Sequence, residues 1–237
     1  MKKLSILFLS IALMAGFTSC KKVVGEGPAV TETRGTGNFT SVASSISANV
    51  YYKQDPVYKV EITAQQNILN VIETNIVGNE LLIKFRNGVR VKSHENIVVN
   101  VSSPMINGLR LSGSGNLIAS DSISSGSMSL TLSGSGNINL HSLVATSLDA
   151  NISGSGNITI SNGSLNTGSF RISGSGNIDA MNVPASSITT TTSGSGEMRV
   201  NASQNLDVTI SGSGSVYYKG TPGVNTHISG SGKVMHQ

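Results

Sequence analysis

The sequence predicts an all-β chain wound as a parallel β-helix with coils of about 20 residues. Three observations predict it. First, the tetrapeptide Ser-Gly-Ser-Gly begins at Ser112, Ser133, Ser153, Ser173, Ser193, Ser211 and Ser229, at spacings of 21, 20, 20, 20, 18 and 18 residues. A fixed period of this length marks a repeat array, in which each unit buries its apolar side only against its neighbours. Second, apolar residues recur at even offsets from each copy. The residue before the motif reads Leu111, Leu132, Ile152, Ile172, Thr192, Ile210, Ile228. Two residues earlier stand Leu109, Leu130, Ala150, Phe170, Thr190, Val208, Thr226, and after the motif come Leu117, Ile138, Ile158, Ile178, Met198, Val216, Val234. A period of two belongs to a strand with one buried face, and no 3.6-residue helical rhythm competes with it. Third, only 12% of the residues are charged and 4% aromatic, with 27 Gly and no Trp. That charge is about half the usual level, and the chain is too rich in aliphatics for disorder.

Residues 1–19 stand outside the fold. Lys2 and Lys3 form a basic start, Leu4 to Phe17 is mostly apolar, and the stretch is too short for an ordinary membrane span. It ends in Thr18-Ser19 directly before the single cysteine, Cys20. This resembles a bacterial lipoprotein signal, in which the cysteine receives the lipid and becomes the first residue. Phe17 stands where that pattern usually has Leu. The alternative is an ordinary secretory peptide with an incidental cysteine. One cysteine makes no internal disulfide. Removing residues 1–19 takes two lysines from the net charge of +4 and leaves +2. No Lys/Arg run lies in the repeats, so no nucleic-acid partner is expected. Residues 20–33, with Gly25, Gly27 and Pro28, read as a tether.

Residues 34–237 read as a single β-helix domain, with 34–110 as irregular coils and 111–237 as the regular repeats. In the irregular part the candidate strands are Ala48–Lys53, Tyr58–Thr63, Glu80–Phe85 and Ile97–Val101. Asn67–Glu73 reads as one or two helical turns. Gly35-Thr36-Gly37-Asn38-Phe39 reads as a degenerate motif copy.

In the regular part seven coils, each rising one strand spacing, would stack to about 34 Å. Both motif glycines fall on inward offsets. Either the walls approach too closely there for a side chain, or a corner needs positive φ; a bend at or near the second glycine is the favoured reading. The serines and the following Asn fall on outward offsets. Stacking places Asn116, Asn137, Asn157 and Asn177 in one column as an amide ladder, which gives way to Glu197, Ser215 and Lys233. Thr190 and Thr192 sit on inward offsets and mark the least well-packed coil. The last coil, Val224 to Gln237, leaves an open strand edge, with Lys233 and His236 as blocking residues.

The Gly-Thr-Gly-Asn-Phe entry, the strand Glu80-Leu81-Leu82-Ile83, the Ser-Gly-Ser-Gly-Asn-Ile copies and the late Ser215-Val216-Tyr217-Tyr218-Lys219-Gly220-Thr221-Pro222 resemble the DUF2807 family. That family is labelled "putative auto-transporter adhesin, head GIN domain" and is common in Bacteroidota lipoproteins. The resemblance covers roughly residues 30–236. It implies a right-handed β-helix and no known activity. A departure from the autotransporter idea is that no translocator barrel follows Ser229 in this sequence.

Chemistry is sparse. Gly-Ser-Gly-Asn without a following helix is no phosphate loop. Gly-x-Ser-x-Gly does not occur. His94, His141, His227 and His236 have no i, i+4 partner, and no metal or cofactor is expected. Polysaccharide-cleaving β-helices need clustered carboxylates with a cation. Asp179, Glu197 and Arg199, which adjacent coils could bring together, are the best such candidate. The favoured reading is therefore a non-enzymatic envelope lipoprotein at the outer membrane, facing periplasm or exterior, held by lipid at Cys20. It would act as an adhesin-like binding or scaffold module whose partner is a glycan or an envelope protein. The candidate strip is Ser133, Ser135, Asn137, Ser153, Ser155, Asn157, Ser173, Ser175 and Asn177. The alternative is a polysaccharide-cleaving β-helix enzyme.

Overall fold

The structure, a computed structural model, describes residues 21–237. The signal segment expected over 1–19 and the lipid attachment expected at Cys20 lie outside the described residues. The repeats form a parallel β-solenoid of about six coils. Asn116–Gly134, Asn137–Gly154, Asn157–Ile160 with Gly163–Gly174, Asn177–Gly194 and Glu197–Gly212 each follow a coil wall, and Ser215–Lys219, Gly223–Gly230 and Lys233–His236 complete the stack. Equivalent repeat positions pair directly: Ile138 with Leu117 and Ile158, Ile178 with Met198, Val216 with Val234.

Both readings of the glycines hold, one for each. The strand ends at the first glycine of the motif, the chain bends at the following serine, and the next strand begins at Asn. The first glycine carries φ between +121° and +133°, from Gly134 at the low end to Gly154 at the high end. The second has ordinary φ but no room. A Cβ on Gly156 would collide with the carbonyl oxygen of Gly136 and press on a Leu132 methyl. The positive φ thus belongs to the first glycine, one step before the expected bend.

The inward columns fill the solenoid with side chains that are almost fully buried, among them Leu132, Ile152, Ile172 and Ile210. Thr190 and Thr192 lie in these columns with no exposed surface. Thr190 Oγ1 reaches only the Asp207 carbonyl at 3.5 Å, and Thr192 Oγ1 has no partner. A buried hydroxyl without a partner costs about 1–3 kcal/mol. Thr192→Val keeps the shape and removes that cost, so the thermal midpoint should rise, with a gain of about 1–2 kcal/mol. The last coil, by contrast, has no coil above it among the described residues. Val224 and Ile228, in the same inward columns, are 39% and 41% exposed. His236 folds back there, with Nε2 2.9 Å from the Gly220 carbonyl oxygen and its ring edge-on to Tyr218.

The N-terminal part departs from sequential coils. Ser41–Ser44 and Asn49–Gln54 form a coil wall beneath Gly108–Gly113 and Asn116–Gly134. The layer beneath that comes from later in the chain: Glu80–Phe85 pairs in parallel with Ser41–Ser44, and Val98–Ser103 with Asn49–Gln54. The next strands run antiparallel. Ile72–Val77 pairs with Glu80–Phe85, and Ala29–Arg34 and Lys59–Gln65 continue the sheet beyond Val98–Ser103. Antiparallel strands can return through short turns, so they close the end of a parallel stack without another full coil.

Two expectations are corrected here and a third is narrowed. The 20–33 tether is strand over much of its length: Lys21–Val24 pairs with Val89–Ser93, and Ala29–Arg34 pairs with Lys59–Gln65. The bend between them is held by side chains, since Gln65 Nε2 donates to the Gly27 carbonyl and Asn67 Nδ2 to that of Val24. A Cβ on Gly25 would overlap the Gln65 amide, which would have to swing aside. The degenerate motif copy is Ser45-Ile46-Ser47-Ala48-Asn49, whose register matches Ser112 to Asn116, and not Gly35–Phe39. Helix is confined to one turn, Gln66–Leu69, because Ile72 already opens a strand.

Candidate functional site

The predicted strip lies on the outside of the solenoid. Ser133, Ser135, Ser153, Ser155, Ser173 and Ser175 are all exposed, and Ser133, Ser153 and Ser173 pair across successive coils. Among the described residues these hydroxyls donate no side-chain hydrogen bond, so they are free for solvent or a ligand. The Asn column behaves differently. Asn137 Nδ2 donates to Asn116 Oδ1 at 2.9 Å, Asn157 to Asn137 at 3.0 Å, and Asn177 to Asn157 at 2.9 Å. At the far end Asn177 Oδ1 accepts the Glu197 backbone N–H at 3.0 Å, which terminates the ladder. At the near end the ladder begins one rung before the repeats do, because Asn116 donates to Asn49 at 2.8 Å. The amides of Asn137 and Asn157 are thus committed to each other, and the serines are the part of the strip left over for recognition.

Each rung gives one N–H and takes one. Asn137→Asp removes the donor and sets a carboxylate oxygen against Asn116 Oδ1. We expect a loss of about 2–3 kcal/mol at neutral pH. The protonated acid can donate again, so its folded-state pKa is raised. The stability it restores is present at low pH and lost as pH rises through that pKa. Urea midpoints measured from pH 3 to 7, relative to the unsubstituted protein, would show it.

Asp179, Glu197 and Arg199 share the outer face. Asp179 pairs in register with Arg199, and Glu197 precedes Arg199 by two. Their contacts are otherwise local. Asp179 Oδ1 accepts the Met181 backbone N–H, and the Arg199 guanidinium lies 5.3 Å from the centre of the Tyr217 ring. Glu197 and Arg199 are exposed and Asp179 is half-buried.

A cleft lies elsewhere, on a part of the surface the repeats do not announce. Val98–Ser103 separates Asn49–Gln54 from Lys59–Gln65 in the sheet. The connection Asp55–Tyr58 must therefore arch past the end of Val98–Ser103, and it raises a wall over the outer sheet face. The cleft beneath has a volume of about 350 Å³. Tyr51, Val57 and Ile118 give it apolar surface, and Asn100, Ser102 and Asp121 give it polar groups. The wall is fixed: Asp55 Oδ1 accepts the Val57 N–H at 3.2 Å, and Ser102 Oγ donates to the Val57 carbonyl at 2.7 Å. Lys53 pairs with Asp55 at 3.5 Å and Lys59 with Glu61 at 2.9 Å. Beneath the floor, burial raises the pKa of Tyr52 above the ordinary tyrosine value, and its hydrogen bond with Ser103 opposes the shift. A shallower groove continues from Ile118 and Ser120 to Asn139, His141 and Thr159. The one sequence signal for the cleft was Tyr51, an aromatic residue at an outward position of a strand.

The family described as "Putative auto-transporter adhesin, head GIN domain" (DUF2807) matches residues 38–222. A structure described as a "putative adhesin" from Bacteroides fragilis is similar at 22% identity and a TM-score of 0.86, covering 91% of this chain and all of that one. A "putative adhesin" from Parabacteroides merdae gives 23% identity and 0.76, with 92% and 99% covered. A "putative lipid binding protein" from Parabacteroides distasonis gives 24% and 0.73, with 92% and 100% covered. Likeness at these identities shows the fold. A search of the curated proteins finds no match.

Proposed function

The chain belongs to the DUF2807 family, and from that premise we propose that it is a lipid-anchored, non-enzymatic binding module of the cell envelope. It would recognise an extended hydroxyl-rich partner such as a glycan. The observation that carries this reading is the exposed serine strip, which offers free hydroxyls at one strand spacing on a rigid wall. Donors and acceptors repeated at a pitch of ~4.8 Å suit a periodic ligand. Rigidity lowers the ordering cost of binding. The adhesin wording of the family and of two similar structures supports the same class of role. The anchor rests on Cys20 and its preceding segment; Cys20→Ala should release the protein from membranes into the soluble fraction. Whether the module faces periplasm or exterior is read by protease shaving of intact cells.

A glycan array, run beside polysaccharide digests with reducing-end detection, tests the strip. We expect binding without turnover, and loss of binding in the Ser135→Lys, Ser155→Lys double variant. Released reducing ends that vanish in Glu197→Gln would instead favour the cleaving-enzyme alternative through Asp179, Glu197 and Arg199.

A further inference from the structure

We propose that the cleft under the Asp55–Tyr58 arch is a second, separate site that holds one neutral pyranose ring stacked on Tyr51. It goes beyond the serine strip and does not depend on it. Tyr51 is 39% exposed on a strand whose neighbouring residues, Val50 and Tyr52, are buried. Its ring, with Ile118 and the 62%-exposed Val57, gives the cleft an apolar surface suited to the C–H face of a sugar. Asn100, Ser102 and Asp121 stand around it as donors and acceptors for hydroxyls. A volume of about 350 Å³ is at the small end of sites for small ligands.

Charge selects against the alternatives. Both lysines of the cleft are matched by carboxylates two residues along their own chain, so neither is a free anchor for a phosphate or a carboxylate. Asp121 forms no ion pair among the described residues and repels anions. The floor is a paired sheet in which Val98–Ser103 joins Asn49–Gln54 to Lys59–Gln65, Ala29–Arg34 lies beyond, and Asn116–Ile118 pairs with Asn49–Tyr51; past that point the Gln54 amide bonds both the N–H and the carbonyl of Ser124. The wall is already held by the Asp55 and Ser102 hydrogen bonds, so a ring enters a formed site.

Saturation-transfer NMR on the purified protein tests this, with the methyl glycosides of glucose, galactose, mannose and N-acetylglucosamine as probes and glucuronate as the charged comparator. The expected result is transfer to the ring protons of at least one neutral glycoside, with weaker transfer to glucuronate. Tyr51→Ala should weaken that binding about tenfold, and Tyr51→Phe should retain it. Ser120→Arg, an exposed substitution that leaves the core untouched, should block it, with an unchanged circular dichroism spectrum as the control. The Ser135→Lys, Ser155→Lys variant should bind the glycoside as before. The proposal is overturned if no neutral glycoside receives saturation at millimolar concentration, or if glucuronate binds more tightly. Binding that survives both Tyr51→Ala and Ser120→Arg, or that disappears with the serine-strip variant, also overturns it.

Discussion

Gly154→Ala is expected to destabilise the solenoid by about 3–5 kcal/mol, one of the largest effects of any single methyl group in this protein. Two costs add. The residue holds φ at +133°, a region essentially reserved for glycine, and occupying it costs a side chain about 1–3 kcal/mol. The new Cβ would also drive into the carbonyl oxygen of Gly134 in the coil below, with that residue's carbonyl carbon at 3.1 Å. Overpacking of this kind costs about 1–3 kcal/mol more. Backbone cannot swing away as a flexible side chain can, and Gly134 is itself stacked on Gly113. The comparison variant is Gly126→Ala, where a Cβ meets nothing within 4 Å and φ is not positive. It should be neutral to within about 0.5 kcal/mol. Urea midpoints of the two variants should separate widely, and equal midpoints would show that the corner has no need of glycine.

Phe170→Ala should cost about 5 kcal/mol, at the upper end for aromatic truncation in a core. The reason lies in two neighbouring columns. Phe170 occurs where the coils on either side have Ala150 and Thr190, and it is paired in register with both. Gly168 occurs where those coils have Leu148 and Ile188. The Phe170 ring fills the space that Gly168 leaves, since a Cβ on Gly168 would lie 2.8 Å from the ring. Truncating Phe170 therefore empties two positions at once. Gly168→Leu alone should also destabilise, because it meets the ring. The double variant Gly168→Leu, Phe170→Ala recreates the Leu148–Ala150 arrangement of the coil below and should recover most of the loss. This strong non-additivity is the signature of contact. Thermal midpoints of the four proteins read it directly.

The regular coils were legible because each residue's role there is set locally. A strand alternates its faces, the repeat is about 20 residues long, and the stack adds one strand spacing per repeat. Those facts alone put Ile152 inside, Ser153 outside and Asn157 above Asn137. They also marked Thr190 and Thr192 as buried hydroxyls. The glycine pair was read less well, because alternation treats both glycines alike and cannot say which one takes positive φ. That choice depends on where the coil turns.

What the sequence by itself determined is the solenoid, its inner and outer columns, its amide ladder from Asn116 to Asn177 and the exposed serine strip. What only the tertiary structure decided lies at the N-terminal end. Asn49 joins the ladder across 67 residues of chain, Val98–Ser103 slots between two strands that adjoin in sequence, and an arch over that strand makes the cleft beside Tyr51. The physical reason is that a repeat carries its partner's address in its own period. An end cap, by contrast, must cover an open sheet with whatever strands can reach it, and antiparallel returns from distant segments leave no periodic trace.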